Sequence, residues 1–345
     1  MIVAGLIVQV VEIELEPLAP LGLGRNVGAA LRGALFESLR WNLNVCLYKH
    51  LPSCVPCSLR HVCPLAGLLA TVDDDAVRGH DAPRPMTIEP PLGLQRTYPV
   101  GSRLRFTLTL LGAGTRYLPY VVLAARELER SGLGRRLDGP AGETRGRAPV
   151  RLGRVSAIHP FSGARETIRA PGDDLIRPSS LVVTSADVES FAATLPADAI
   201  TLDLLTPLRL VEGGRLVHPL RFDALIWRLH DRLAALCRHH AAGGEWIGDS
   251  RTLVERARAV RVARDATTWL DLEAHSSRTG RWSPTGGYVG WITFQGELAP
   301  FRSLLVWGSL VHVGKSATRG NGWYRIRTPA VERPIPSDAA EEMRR

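Results

Sequence analysis

Near the C-terminus, residues 287–327 read GYVGWITFQGELAPFRSLLVWGSLVHVGKSATRGNGWYRIR. The β-branched and aromatic residues of 287–295 predict a strand, and the apolar run of 299–311 predicts a short helix. A glycine-rich turn follows, and 322–327 predicts a second strand. Strand, helix and strand in this order are typical of the second half of a βαββαβ unit, the ferredoxin-like topology.

The residues before this stretch supply the first half of the unit. A strand is predicted over 198–210, and a long amphipathic helix over 219–241, where apolar residues recur at helical spacing. Strand-forming residues near 258–274 lead back to the strand that begins at residue 287. The sequence therefore predicts a C-terminal ferredoxin-like domain over residues 161–327.

The N-terminal half repeats this order. Its predicted elements are a strand over 2–14, a helix over about 26–41, an alternating strand over 104–110, a helix over 118–131 and a strand over 149–158. The predicted fold class is therefore α+β, with two tandem ferredoxin-like (RRM-like, βαββαβ) domains at 1–160 and 161–327. A cysteine-rich loop at 42–65 is inserted in the first domain, and residues 328–345 are expected to form a disordered tail.

The composition indicates a soluble, basic protein. Apolar residues make up 45% of the 345 residues and charged residues 22%. The sequence has neither a signal-peptide pattern nor an apolar run of membrane length, so we expect a cytoplasmic protein with no membrane partner. The net charge of +9 and the pI of about 9.9 favour a polyanionic partner such as nucleic acid.

Lysine is rare among the basic residues. Of 43 lysines and arginines, only Lys49 and Lys315 are lysines. A lysine kept in an arginine-rich chain indicates a position that needs a compact ammonium group, with chance retention as the alternative. Both lysines fall in segments that carry other chemically active side chains.

The turn before the last strand contains Gly314, Gly320 and Gly322. Glycine lets the backbone turn sharply and approach a ligand closely, and a cluster of exposed N–H groups binds phosphate oxygens. Cationic or titratable residues surround this turn: His312, Lys315, Arg319 and Arg325. We predict a phosphate-binding loop, with a purely structural turn as the alternative.

A nucleotide-hydrolysing P-loop is disfavoured despite the Gly-Lys-Ser sequence at 314–316. That motif needs a glycine five residues before Gly314, where this chain has Ser309. It also needs a strand before the loop and a helix after it, whereas the order predicted here is the reverse.

The sequence resembles the CRISPR repeat-processing endoribonucleases of the repeat-associated (RAMP) superfamily of RNA-binding proteins. A helix, then His-Val-Gly-Lys, Gly-x-Gly and an aromatic strand are similar to the glycine-rich loop of that family. The resemblance extends to LGLGRNVGAALRGALFESLR at 21–40, RYLPYVVLAARELERSGLG at 116–134 and LTPLRL at 205–210. It implies cleavage of precursor CRISPR RNA within repeats, without a catalytic metal. The ribose 2′-hydroxyl would attack, leaving a 2′,3′-cyclic phosphate and a 5′-hydroxyl.

This chemistry needs a proton acceptor, a proton donor and cations around the phosphate. His312 is the first candidate for proton transfer because it adjoins the glycine-rich turn and lies three residues from Lys315. The resemblance implies a histidine near the end of the first helix, which makes His50, beside Lys49, the competing candidate. Some relatives use arginines instead, so Arg25 and Arg32 are further candidates.

Four cysteines, Cys46, Cys54, Cys57 and Cys63, are spaced C-x7-C-x2-C-x5-C. In a cytosolic chain this clustering favours a metal over disulfides, and tetrahedral sulfur coordination suits a structural zinc ion. An iron–sulfur cluster and free thiols are the alternatives.

Arginines cluster at 133–154, including Arg151 and Arg154, and at 251–264. Such patches bind the phosphates of an RNA stem, or else form a solvated surface. The expected partner is CRISPR repeat RNA or crRNA, and an effector complex is a second one. Two other functions stay open: a non-catalytic RNA-binding subunit of a CRISPR effector, and a zinc-stabilised DNA-binding or assembly protein.

Overall fold

The computed structural model describes residues 2–3, 5–72, 82–93, 96–138, 146–243, 246–247, 249–276 and 281–327. The tail predicted at 328–345 lies outside the described residues, as does Arg145 of the first arginine cluster. Within the described part of the chain, no helix combines the length and apolar character that crossing a membrane requires.

The first half of the chain forms an antiparallel sheet of five strands with helices packed on it. The strands are β1 (Val8–Pro17), β2 (Met86–Glu89), β3 (Leu104–Leu111), β4 (Val150–Ile158) and β5 (Arg165–Arg169), in the order β2-β3-β1-β4-β5. The helices are α1 (Val27–Glu37), continued by a π-helical turn at Ser38–Asn42, α2 (Pro64–Leu68) and α3 (Leu118–Ser131). Without β5, this is the strand order of a ferredoxin-like domain.

The second half forms an antiparallel sheet of four strands. The strands are β6 (Ala199–Leu208), β7 (Arg261–Leu270), β8 (Gly287–Gln295) and β9 (Tyr324–Ile326), in the order β7-β8-β6-β9. The helices are α4 (Ser185–Ala193), α5 (Phe222–His240), α6 (Ser250–Arg258) and α7 (Arg302–Val311). The mixed fold of antiparallel sheets and helices agrees with the predicted class.

Short elements complete the described fold. They are the strand pairs Ile2–Val3 with Trp246–Ile247, Val211–Glu212 with Arg215–Leu216 and Glu273–Ser276 with Arg281–Pro284, a small sheet of Leu21–Gly22, Thr97–Tyr98 and Arg135–Arg136, and 3-10 turns at Gly112–Tyr117, Ala299–Phe301 and Ala317–Arg319. The cysteine-rich segment 43–63 consists of turns and bends.

Several elements differ from the sequence prediction, among them the helices α2 and α4, which it did not include. The edge strand β2 lies in a segment interpreted as irregular, because four residues are too few to establish an alternating pattern. The polar edge strand β5 pairs with β4, so the first sheet continues past residue 160. Helix α6 occupies residues just before β7, where its arginines mask a weak apolar pattern.

Strand β1 contributes to both hydrophobic cores. Val11, Ile13 and Leu15 pack in the core of the first domain, whereas Val8 and Val10 are buried in the core of the second. Leu111 of β3 is buried there too. The two domains therefore share a continuous apolar interface.

Candidate functional site

The glycine-rich loop, residues 312–323, lies between the two domains. A Cβ on Gly28, in the first turn of α1, would lie 2.2 Å from the carbonyl oxygen of Arg319. Gly320 has a φ of 94° and packs against the carbonyl of Ile88 in β2. The glycines are needed because the loop passes this close to the backbone of the first domain.

Part of the loop backbone is hydrogen-bonded within the protein, and the predicted phosphate nest stays a prediction. The N–H groups of Gly320 and Gly322 donate to the carbonyls of Ala317 (3.1 Å) and Pro207 (3.0 Å). Both glycines are buried, while Gly314 is half-buried against the Arg209 carbonyl. The three glycines therefore permit close backbone packing, and the amides of Gly320 and Gly322 are bonded to carbonyls of the protein.

His312 is fully buried, which contradicts its predicted role in proton transfer. Its ring stacks on Trp323, with the centroids 6.1 Å apart and the planes 12° apart. Burial, with a smaller effect from the nearby Arg232 guanidinium, lowers the pKa of His312 to about 3. The imidazole is therefore neutral at physiological pH and has no surface that a substrate can reach.

Arg25 and Arg209 line a cleft between the domains that encloses about 420 Å³. The guanidinium of Arg209 lies 5.5 Å from the ring centre of Trp269, and the Arg209 carbonyl accepts the N–H of the exposed Lys315 at 3.0 Å. Arg209 is the arginine of the LTPLRL segment, so the sequence did contain a signal for it. The other residues of the lining are Asp271, Leu272, Glu273, Pro284 and Gly286.

Next to the cleft, Asn26 joins the two domains. Its side-chain amide donates to the carbonyl of Glu273 at 2.7 Å, and its side-chain oxygen lies 3.2 Å from the Thr285 hydroxyl. Asp271, which accepts the indole N–H of Trp269 at 2.7 Å, gives the cleft an acidic side. The cleft therefore has a cationic wall, which suits phosphate, and a carboxylate wall, which suits base amino groups.

Arg325 and Glu89 carry opposite charges where β9 of the second domain approaches β2 of the first. Arg325 is exposed, and its guanidinium lies 5.3 Å from the ring centre of Trp323. Burial raises the pKa of Glu89 to about 7, and the positive charge of Arg325 opposes that shift. Arg319 is half-buried, with its carbonyl against α1.

Lys49 and His50 lie at the opposite end of α1 from the glycine-rich loop. The ammonium of Lys49 donates to the Trp41 carbonyl (2.8 Å) and the Asn44 side chain (2.9 Å), and His50 is exposed. From Gly28 to Glu37, the last residue of α1, the rise is roughly 14 Å at about 1.5 Å per residue, and the π-helical turn at Ser38–Asn42 adds to it. The structure therefore does not bring these two residues together with the loop.

Three arginines predicted to bind RNA are held by the first domain itself. Arg32 donates to the Leu69 carbonyl at 2.8 Å. Arg151 pairs with Glu16 at 3.4 Å, and Arg154 donates to Thr167. On the same sheet Arg105 and Arg165 pair with Glu14 and Glu12. The carboxylates offset much of the positive charge of this face.

The four clustered cysteines lie within electrostatic range of one another. Burial raises the pKa of the Cys54 thiol, and the thiols of Cys63, Cys46 and Cys57 add to that shift. In the described parts of the chain, however, no three or more histidine, cysteine, aspartate or glutamate side chains are arranged to hold a metal ion. The zinc site stays a prediction.

Two family models match the chain. Residues 6–181 match the AF_1859_N N-terminal domain, and residues 202–324 match CRISPR-associated endoribonuclease Cas6. No curated protein matches the sequence significantly.

Among solved structures, a partial Cas6-RT-Cas1–Cas2 complex matches with a TM-score of 0.60 and 14% identity, over 95% of this chain and 47% of that one. The chain thus spans about half of that protein. A Cas6 product complex matches with a TM-score of 0.52 and 18% identity, over 93% of this chain and 100% of that one. Thermus thermophilus Cas6 matches with a TM-score of 0.51 and 16% identity, over 94% of this chain and 100% of that one.

At such low identities the structural likeness shows the fold alone, a mixed fold of antiparallel sheets and helices similar to that of Cas6 structures. The family models are independent of that likeness and together span both domains. The N-terminal half of the chain belongs to the AF_1859_N family, and the C-terminal domain matches the CRISPR-associated endoribonuclease Cas6 family, in agreement with the resemblance in the sequence.

Proposed function

We propose that the protein is an endoribonuclease that cleaves precursor CRISPR RNA within its repeats to give guide RNAs. The observation that carries this proposal is the cleft between the domains, which Arg25 and Arg209 line and where the backbone N–H of Lys315 donates to the carbonyl of Arg209. Guanidinium groups bind phosphate oxygens through paired hydrogen bonds, and Trp269 restrains that of Arg209.

The proposed reaction is an internal transesterification. The 2′-oxygen of one ribose attacks the adjacent phosphorus, and the bond from phosphorus to the 5′-oxygen breaks. Arg209 and Lys315 would stabilise the negative charge that builds on the phosphate oxygens in the transition state. The products are a 2′,3′-cyclic phosphate and a 5′-hydroxyl, and no metal takes part.

The test is incubation of the purified protein with end-labelled repeat RNA in excess EDTA. We expect one discrete product with a cyclic phosphate end, and no cleavage of an RNA with a single 2′-deoxyribose at the cut site. A reaction that EDTA stops and Mg²⁺ restores would contradict the mechanism. An uncut RNA that still binds tightly would contradict the enzymatic function.

The second candidate function is that of a non-catalytic RNA-binding subunit of a CRISPR effector complex. The burial of His312 favours it, because the histidine beside the glycine-rich loop cannot reach a substrate. The same incubation separates the two functions, because this subunit would bind repeat RNA without shortening it. For either function the proposed partner is CRISPR RNA, and the proposed location is the cytoplasm.

We also propose that Cys46, Cys54, Cys57 and Cys63 bind one structural zinc ion. The support is the clustering of the four cysteines in the sequence and the effect of the other three thiols on the pKa of Cys54, in a segment of turns that has little core of its own. Metal analysis of the purified protein should find about one zinc per chain, and Cys54→Ala should lose it. A metal-free protein of unchanged stability would contradict this.

A further inference from the structure

We propose that His218 is the catalytic residue that accepts the proton of the attacking 2′-hydroxyl, and that Tyr288 is its positioning residue. The inference rests on the proposed ribonuclease function and assigns the proton transfer that His312 cannot perform. Nothing in the sequence pattern singled out His218, and Tyr288 was one of several aromatic residues that could stack on bases.

His218 lies across a β-hairpin from Arg209. The hairpin 211–216 pairs in regular antiparallel register, and the N–H of Val217 continues it by donating to the Leu210 carbonyl at 3.0 Å. His218 directly follows Val217 and Arg209 directly precedes Leu210, so this contact brings the backbones of the two residues near each other. The imidazole and the proposed phosphate-binding cation therefore belong to neighbouring segments of the chain.

Tyr288 holds the imidazole in one orientation. The two rings are stacked, with centroids 5.8 Å apart and planes 8° apart, and Nδ1 of His218 is hydrogen-bonded to the Tyr288 hydroxyl. Tyr288 is buried, whereas His218 is exposed. With Nδ1–H donating to the hydroxyl oxygen, Nε2 carries the free lone pair and faces outward, as a general base requires. Nε2 has no partner among the residues that the structure describes.

An aromatic cluster links this histidine to the cationic wall of the cleft. Trp269 packs edge-on against Tyr288 at 5.2 Å, and the Arg209 guanidinium lies 5.5 Å from the ring centre of Trp269. In the sheet Trp269 is paired directly with Tyr288. The backbone of Arg209 in turn holds Lys315, so the glycine-rich loop ends at the same site.

The topology explains why these groups converge. The segment after β6, the end of β7, the start of β8 and the loop between α7 and β9 all lie at one end of the second sheet. The segment after β6 contributes Arg209 and His218. The end of β7 contributes Trp269, the start of β8 contributes Tyr288, and the loop between α7 and β9 contributes Lys315.

The proposed step is balanced without a co-reactant. Nε2 of His218 takes the 2′-hydroxyl proton as the 2′-oxygen forms its bond to phosphorus. The bond from phosphorus to the 5′-oxygen breaks, and that oxygen takes a proton from water. The imidazolium then returns its proton to the solvent. Arg209 and Lys315 neutralise the phosphate oxygens throughout.

The test is single-turnover cleavage of repeat RNA by the full-length His218→Ala variant. We expect the rate to fall about 10²- to 10⁴-fold, the usual contribution of a general base, while RNA affinity stays within about threefold. Imidazole added to the buffer should restore part of the rate. The matched control is His239→Ala on α5, roughly 25 Å along that helix from the site, which should cleave at the wild-type rate.

Tyr288→Phe keeps the ring and removes the hydroxyl, so it tests positioning. We expect about a tenfold lower rate at saturating protein with unchanged RNA affinity, since an imidazole that is not held reaches the reactive orientation less often. An inactive wild type would overturn the ribonuclease function together with this inference. If the wild type is active, two results would overturn this inference alone. One is a fully active His218→Ala variant, and the other is an inactive His218→Ala variant that imidazole does not rescue.

Discussion

At the scale of single residues, Arg209 is the cation whose surroundings best suit the proposed binding of phosphate. Its backbone carbonyl is occupied by Lys315, and its side chain lies over Trp269 and 3.4 Å from the Gly286 carbonyl. These contacts restrict a long, flexible side chain to one wall of the cleft. Less conformational entropy is therefore lost when RNA binds.

We predict that Arg209→Ala weakens repeat-RNA binding about tenfold, because a hydrogen bond to a charged group contributes about 1.5–3 kcal/mol. Loss of a phosphate contact should also lower the slope of log affinity against log salt by about one. Arg215→Ala, at an exposed position of the neighbouring hairpin, is the matched control and should change neither quantity. Titration at several salt concentrations measures both; equal effects in the two variants would contradict the assignment.

His312 is a structural residue at this scale, and its burial makes stability depend on pH. Its pKa is about 3 in the folded protein and about 6.5 in an unfolded chain, so the unfolded state binds the extra proton between these values. Stability from this residue is therefore complete above about pH 6.5 and is lost as the pH falls towards 3.

We predict that His312→Phe, which keeps the stack on Trp323, removes this dependence. Between about pH 4 and 6, the wild-type unfolding free energy should rise with pH about 1.4 kcal/mol per unit more steeply than that of the variant. Urea denaturation at several pH values measures the difference. Parallel curves, or a folded variant that no longer cleaves RNA at pH 8, would contradict a purely structural role.

At the scale of elements, α1 and the glycine-rich loop position each other. Gly28 faces the loop backbone, while Gly33 on the same helix has no atom within 4 Å of its missing Cβ. Substitution of Gly33 therefore tests helix propensity alone, whereas substitution of Gly28 in the same helix also tests packing against the loop.

We predict opposite effects for the two alanine substitutions. Gly33→Ala should stabilise the protein by up to about 1 kcal/mol, because alanine favours the helix. Gly28→Ala should destabilise it by about 1–3 kcal/mol, because the new methyl group meets the Arg319 carbonyl, and should slow RNA cleavage by displacing the loop. Thermal melting and cleavage assays measure these changes. Equal stabilisation by both would show that the loop does not pack on α1.

At the scale of the whole molecule, the two ferredoxin-like domains share buried surface. Val8, Val10 and Leu111 of the first domain are inside the core of the second, and Val8 also forms a backbone bridge with Val183. The cleft lies at the same junction, so its width depends on that shared core.

We predict that a fragment of residues 171–345 is unstable by itself, because it lacks these three side chains and exposes the surface that they cover. It should bind a hydrophobic dye and melt well below the full chain. Adding a separately made fragment of residues 1–170 should restore part of the stability by covering that surface. A fragment that melts like the intact protein would contradict the shared core.

The sequence alone was sufficient for the repeated order of strands and helices, since periodicity and glycine turns are local properties. It also indicated the family, through the segments at 21–40, 205–210 and 312–325. It was not sufficient for the short edge strands at Met86–Glu89 and Arg165–Arg169, whose pairing depends on distant partners. The roles of His312 and His218 were likewise decided by tertiary structure: packing buries the first and the Tyr288 contact orients the second, and neither burial nor orientation is encoded in the spacing of neighbouring residues.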